Sequence, residues 1–393
     1  MPRPISSTVH RCPGQESSFQ VKWEADDTVN GEFRLIDLID DMRAGKDVFF
    51  RLVRAVKDIM PNNVKTLTLD DTVGTALKLM EHSKVRHVPV VDIPIGEEKK
   101  PYFVGVVSER DVFRQISPNM GKVGEEKTDP KARRQLLGQI VTRKPKTVSP
   151  ETPIPDMIST MLDNHVDMVP VLADGDLVSV VTTEDIMKLF VRLGTIRRLS
   201  ARPPKAEETE DRTRLADLLS AGADEVATMF SSVFQTVQDI MTEQVVCLGP
   251  ENTLAEAIEA MQQGEFRHVP IVDTEAIVVG ILSDRDVLRY LPFVGGQRLP
   301  RTGAFRSSLF EVDVKDPSLS LPLARVMTRN VTHVLPNCSF YDAVKMLHEL
   351  RISCLPVVDK ERRLRGILTV TNVMRALLSA YKLTKKIPEL IEK

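Results

Sequence analysis

Cysteine is scarce: Cys12, Cys247, Cys338 and Cys354 are the only four in 393 residues. That number cannot staple a scaffold, and no two stand at zinc-site spacing, so no metal is expected and a reducing cytoplasm is the expected compartment. Aromatic residues make up 5% of the chain, with Trp23 the single tryptophan. Such a chain offers no stacking platform for single-stranded nucleic acid. An excess of one charge is missing as well. Lys plus Arg (53) against Asp plus Glu (55) leaves a formal net charge of -2, without the basic surplus of a nucleic-acid binder. No apolar run approaches the roughly 18 residues of a membrane span. Met1 to Arg11 hold no apolar block before a small-residue cleavage site, so no secretory signal is expected. Catalytic signatures are absent too: no Gly-rich loop ends in Lys-Ser/Thr, and there is no Gly-x-Ser-x-Gly elbow and no His-Glu-x-x-His. Asp26-Asp27, Asp40-Asp41 and Asp70-Asp71 are adjacent acids that would not face one another on a helix, and they read as solvated faces or first turns.

What is present is a globular composition, 42% hydrophobic and 27% charged, and a repeat. Four segments pair an apolar dipeptide, ending at Met60, Val141, Met241 and Met327, with Pro89, Pro170, Pro270 and Pro356, always 29 residues on. Between them runs an apolar stripe at helical spacing: Val73, Leu77, Met80; Ile154, Ile158, Met161; Leu254, Ile258, Met261; Phe340, Val344, Leu347. The prolines sit in short β-rich runs such as Val88-Pro89-Val90-Val91, and proline should hold each at a strand start or edge. A second strand and an amphipathic helix follow. Each unit is thus strand, helix, two strands, helix, an α+β unit too small to cover its own sheet, so pairing is expected. Units one and two resemble three and four as a pair.

The second strand of each unit ends in a hydroxyl residue, with an acid three positions later: Ser108 and Asp111, Thr182 and Asp185, Ser283 and Asp286. In the fourth unit Thr369 is followed by Asn372. The position is a helix start, where free N–H groups favour anions. Two readings stand side by side. The acid either caps the helix or accepts hydrogen bonds from the vicinal hydroxyls of a ribose.

These units resemble CBS domains, the β-α-β-β-α regulatory repeat, and two such units pack through their sheets as a tandem Bateman module. Four in one chain resemble the γ subunits of AMP-activated protein kinases, where two modules form a pseudo-symmetric disc; the insertions and leading helix depart from that pattern. The resemblance implies an adenosyl ligand in the clefts: AMP, ADP or ATP, and in some members S-adenosylmethionine or NAD. It implies ribose contacts from Ser108, Asp111, Thr182, Asp185, Ser283, Asp286 and Thr369, with Asn372 putting the fourth site in doubt. The adenine pocket would lie near Thr66, Thr147, Cys247 and His333. Phosphate would meet Arg86, His87, Arg110, Arg267, His268 and Arg285, mostly in units one and three, because units two and four carry Asp167-Met168 and Ser353-Cys354 in place of Arg-His. The alternative for the arginines is a surface salt bridge, and for the histidines a structural burial.

The expected organisation is an unstructured stretch at 1–30, an amphipathic helix at 31–54 and CBS units at 55–116, 136–194, 236–292 and 323–380. Loop insertions fall at 117–135 and 293–322, a polar linker at 195–211, a second leading helix at 212–235 and a tail at 381–393. The basic half of the linker is read as a solvated tether, with contact to RNA or a partner as the other reading. The function expected is a non-enzymatic sensor that binds an adenosyl ligand and relays it to a partner protein. The rival is a CBS scaffold kept for assembly. The disc can be built by one chain, with a homodimer as the other arrangement.

Overall fold

The computed structural model describes residues 55–93, 101–115, 129–200, 235–290 and 319–379. The expected N-terminal stretch, both leading helices, most of each insertion and the tail lie outside the described residues. Repeat 1 comprises β1 (Leu67–Thr68), α1 (Val73–Ser83), β2 (His87–Asp92), β3 (Tyr102–Ser108) and α2 (Glu109–Phe113). Helix α3 (Asp129–Arg133) precedes repeat 2, which holds β4 (Thr142–Arg143), α4 (Ile154–Asp163), β5 (Met168–Ala173), β6 (Asp176–Thr182) and α5 (Thr183–Ser200). Repeat 3 holds α6 (Leu254–Gly264), β7 (His268–Val272), β8 (Val278–Ser283) and α7 (Asp284–Tyr290). Repeat 4 holds α8 (Leu323–Val326), α9 (Phe340–Glu349), β9 (Cys354–Val358), β10 (Leu364–Thr369) and α10 (370–379).

The helices form where the apolar stripe predicts. Thr72 caps α1 by accepting from the Thr75 N–H, and Val73, Ala76 and Met80 are its buried stripe. The same register in α4 buries Ile154, Met157, Ile158 and Met161. After the first long helix of every repeat the chain turns through one left-handed residue, Lys84, His165, Glu265 or Arg351, with φ of 52–53°. None of them is glycine, so each repeat carries a small backbone strain at this turn.

Four expectations are corrected. The prolines sit inside their strands, third of the strand in β2, β5, β7 and β9, not at a start. Their carbonyls accept from Val148, Leu248 and Val334 N–H, where the parallel first strand begins. N–H and C=O of one residue point the same way, so the missing N–H falls just before that pairing and costs no ladder bond. The first strand is a two-residue strand only in repeat 1; elsewhere it is one parallel bridge, Val148 to Val171, Leu248 to Ile271 and Val334 to Val357. Helix α5 continues to Ser200, so residues 195–200 of the expected linker are helical, and the 117–135 insertion contains α3.

Pairing is an exchange. The lead-in of repeat 1 bonds to repeat 2, with Val56 N donating to Thr152 O, and that of repeat 2 bonds back, with Leu137 N donating to Asp71 O. Repeats 3 and 4 trade in the same way through Val237 to Cys338 and Leu323 to Asn252. The cores follow: Leu137, Ile140 and Val141 complete the core of repeat 1, and Leu319, Leu323 and Val326 that of repeat 3. Each fully buried Leu, Ile or Met contributes about 1.5–3 kcal/mol, so neither partner can leave cheaply. A small residue receives the partner strand at one register. Gly105 lies where a Cβ would stand 2.2 Å from Thr142 O, and Gly366 where one would stand 2.7 Å from Thr242 O. At the same register repeat 2 has Ser179, whose hydroxyl donates to Pro61 O at 2.6 Å.

The two pairs meet through α2 against α7 and α5 against α9. The Phe190 and Phe340 rings pack at a 53° tilt with centroids 4.9 Å apart, and repeats 2 and 4 share one continuous core.

Candidate functional site

The hydroxyl–acid turns are built alike. Asp111 Oδ2 accepts from the Ser108 N–H at 2.8 Å and from its hydroxyl at 2.7 Å, while the Asp111 N–H donates to Ser108 Oγ at 3.2 Å. Asp185 with Thr182 and Asp286 with Ser283 repeat the arrangement, the hydroxyl bonds being 2.6 Å in each. The capping reading is therefore satisfied in every copy. For Asp111 and Asp185 those bonds all fall on one carboxylate oxygen. Burial pushes the Asp185 carboxyl above its ordinary value, against the hydrogen bonds from Thr182.

Asn372 caps just as well, its Oδ1 accepting from the Thr369 N–H at 2.9 Å and hydroxyl at 2.5 Å. Its Nδ2 does what no carboxylate can do. It donates to Ile240 O and to Thr242 Oγ1, each at 3.1 Å, and so pins repeat 4 to the lead-in of repeat 3.

The six basic positions converge on one centre that all four repeats border. Arg110, nearly buried, donates from Nε to Asp284 Oδ2 at 2.7 Å and from Nη1 to Asp167 Oδ2 at 3.1 Å. Arg267 places Nη1 on both Asp167 oxygens at 2.9 and 3.0 Å, and Nη2 on His165 O at 2.5 Å. Arg86 donates to Arg351 O at 2.7 Å, and Arg351 returns a bond to Lys84 O at 3.2 Å. Arg285 stands 3.6 Å from Glu109. His268 Nε2 pairs with Ser353 Oγ at 2.8 Å, whereas His87 Nε2 is buried with no hydrogen-bond partner among the described residues.

Burial and neighbouring charge set the protonation states. Burial, then Arg110 and Arg285, outweighs Asp167 and pushes His87 down to about 3, so it is neutral near pH 7. His268 is lowered to about 4, chiefly by burial. Burial alone would raise Asp167, but Arg267 and then Arg110 hold it well below the carboxylate range. Asp284 is likewise raised by burial yet held low by Arg110, Arg267 and Arg285. Burial, then Arg86 and Arg110, lowers Arg285 to about 10. It remains charged, in a crowd of like charges.

The other expected positions are dispersed. Thr66, Thr147 and Cys247 are exposed just ahead of their first-strand residues, and His333 is half-buried with Nδ1 3.1 Å from Val331 O. A cavity of about 760 Å³ between repeats 3 and 4 is lined by Met241, Glu243, Pro336, Asp359 and Arg365 among others, and by none of the expected site residues. Neither Asp167 nor Asp284 was among the expected site residues. The signal for Asp167 was present, since it occupies the register of Arg86 and Arg267; Asp284 lies beside Arg285 and carried none. Among the described residues no group of His, Cys, Asp and Glu could hold a metal ion, and no helix is long and apolar enough to cross a membrane.

The CBS domain model matches residues 56–118, 137–192, 237–292 and 323–379. The chain belongs to the CBS domain family. Its four CBS repeats form two tandem Bateman modules. The Methanocaldococcus jannaschii protein MJ1404 is 25% identical over 328 residues, covering 83% of this chain and 62% of that protein's length. The chain thus spans less than two thirds of MJ1404. A second protein of that organism, MJ1225, is 21% identical over 82% of this chain and 98% of its own length. Its crystal structure, described as that of a candidate archaeal homologue of γ-AMPK, superposes with a TM-score of 0.52 over 82% of this chain and 99% of that chain, at 19% identity. That likeness concerns the fold. CBSX2 of Arabidopsis thaliana is 29% identical over 38% of this chain and 66% of its own length. It has been solved in complex with AMP; that structure covers 37% of this chain and 97% of its own at 28% identity, with a TM-score of 0.29.

Proposed function

We propose that this chain is a non-catalytic regulatory protein that takes an adenosyl ligand, AMP, ADP or ATP, in the clefts of its CBS pairs and relays occupancy to a partner protein. One observation carries the reading: Arg110 immediately precedes Asp111 and Arg285 immediately precedes Asp286, so the arginines of the common centre and the carboxylates suited to a ribose sit on the same two helices, α2 and α7. A nucleoside phosphate needs just that pairing of a double acceptor for vicinal hydroxyls with cationic forks for phosphate. On this reading Ser108, Asp111, Thr182, Asp185, Ser283 and Asp286 hold ribose, and Arg86, His87, Arg110, Arg267, His268 and Arg285 form the phosphate side. Thr66, Thr147, Cys247 and His333 stay as adenine-side positions. The AMP bound by the sequence relative CBSX2 is a ligand of this class. Occupancy would act on a partner only through a difference in affinity between two arrangements of the modules.

Calorimetry with adenine nucleotides tests it. Asp111→Asn and Asp286→Asn are the informative variants, because Asn372 shows that an amide keeps the cap. Each should weaken binding by about 1.5–3 kcal/mol, the worth of a charged hydrogen-bond acceptor, while leaving the fold intact. Absence of heat and of any melting shift with every adenine nucleotide would end the reading. A scaffold function is the second reading, favoured by the self-bonded Asn372 cleft; it expects that null result.

A further inference from the structure

The centre of the molecule already holds anions of its own. Arg110 donates to Asp284 and Asp167, and Arg267 to Asp167 and the His165 carbonyl. Counting the groups that act on one another there, four guanidiniums (Arg86, Arg110, Arg267, Arg285) face three carboxylates (Asp167, Asp284, Glu109). His87 and His268 are neutral, and Arg351 at the exposed rim spends its guanidinium on Lys84 O. The balance is a single positive charge. Arg86 donates to a backbone carbonyl and Arg285 stands 3.6 Å from Glu109, so these two forks are the least tied to carboxylates, and the buried His87 Nε2 has no partner among the described residues.

We propose that Asp167 and Asp284 are built-in phosphate stand-ins that fit this centre to a nucleoside monophosphate and set it against a nucleoside triphosphate. The proposal rests on the adenosyl-ligand reading and narrows it. One phosphoryl group can reach the arginines the carboxylates leave over. A longer phosphate chain must either lie beside Asp167 and Asp284 or displace them from Arg110 and Arg267. Like charges at such range in a half-enclosed site repel strongly. Displacement also has a structural consequence. Asp167 of repeat 2 bridges Arg110 of repeat 1 and Arg267 of repeat 3, so losing it cuts a tie between the two Bateman modules. A register position that is arginine in repeats 1 and 3 and aspartate in repeat 2 is how the chain carries its own competitor.

The test is calorimetric titration of the full chain with AMP and with ATP in magnesium-free buffer, for the wild type, Asp167→Asn and Asp284→Asn. Wild type should bind AMP at least about tenfold more tightly than ATP. Asp167→Asn keeps a hydrogen-bond acceptor for both arginines but removes the charge, and should bring the two affinities within about threefold, mainly by tightening ATP. Melting curves of both variants report folding, and the wild-type AMP-to-ATP ratio needs no variant at all. ATP binding as tightly as AMP to the wild type, or a ratio unmoved by Asp167→Asn, overturns the proposal while leaving the adenosyl reading standing. Silence with AMP, ADP and ATP alike overturns both.

Discussion

Arg110→Ala is the sharpest perturbation of this architecture, because a single side chain holds together three repeats. Arg110 and Asp284 retain only 10% and 6% of their side-chain exposure, and Asp167 keeps 26%. Removing one member of a buried pair leaves the other as an uncompensated charge, at a cost of about 3–5 kcal/mol. The loss should be read by urea unfolding followed by circular dichroism at pH 7 and again near pH 4.5. The sign of the pH effect separates this mechanism from simple loss of packing. In the wild type the carboxyls of Asp167 and Asp284 are held low, so their pairing stabilises fully above the unfolded carboxylate value of about 4 and fades as pH falls through the lower folded values. In Arg110→Ala, burial dominates at Asp284 and its carboxyl rises above the unfolded value, so the deficit grows as pH climbs through 4 to 7. The gap between the two proteins should therefore narrow toward pH 4.5. Arg110→Met with Asp284→Leu should recover most of the loss, since a buried ion pair exchanged for packed apolar groups is often neutral or better. A variant as stable as wild type at pH 7, or a gap of equal size at both pH values, would refute the argument.

Three further outcomes follow from the contacts between paired repeats. Gly105→Ala should destabilise by about 1–3 kcal/mol or more, because the new methyl meets the Thr142 carbonyl. Gly280→Ala should cost less, because its nearest obstacle is the Met327 thioether, the far end of an adaptable side chain; the reverse order in denaturant midpoints would contradict the strand contact. Asn372→Asp restores the acid of the other three copies, yet it sets a carboxylate against Ile240 O and should cost about 1–3 kcal/mol with no added equivalent of bound nucleotide. Equal melting temperature and an extra binding equivalent would show that Asn372 is not a pin.

Much of the fold was legible because it is written four times. The stripe from Val73 to Met80 and its three counterparts specify helices by spacing alone, and the hydroxyl–acid turns declare their caps by residue type. Capping depends on residues three apart, which is why local sequence decides it. The proline strands were misplaced because whether a missing N–H matters depends on where a parallel neighbour begins, and that neighbour comes from about twenty residues upstream.

The centre was half legible. Arg86, His87, Arg110, Arg267, His268 and Arg285 drew attention as a duplicated pattern, but their partners did not, because Asp167 meets Arg267 across 100 residues and Asp284 meets Arg110 across 174. Periodicity, caps and the repeat itself belong to the chain as a line of letters, since each involves neighbours a helical turn or a strand apart. Which charge faces which, and which amide crosses a cleft, arise only when four folded units close around one point and water is driven out, for there alone do distant side chains have no alternative to one another.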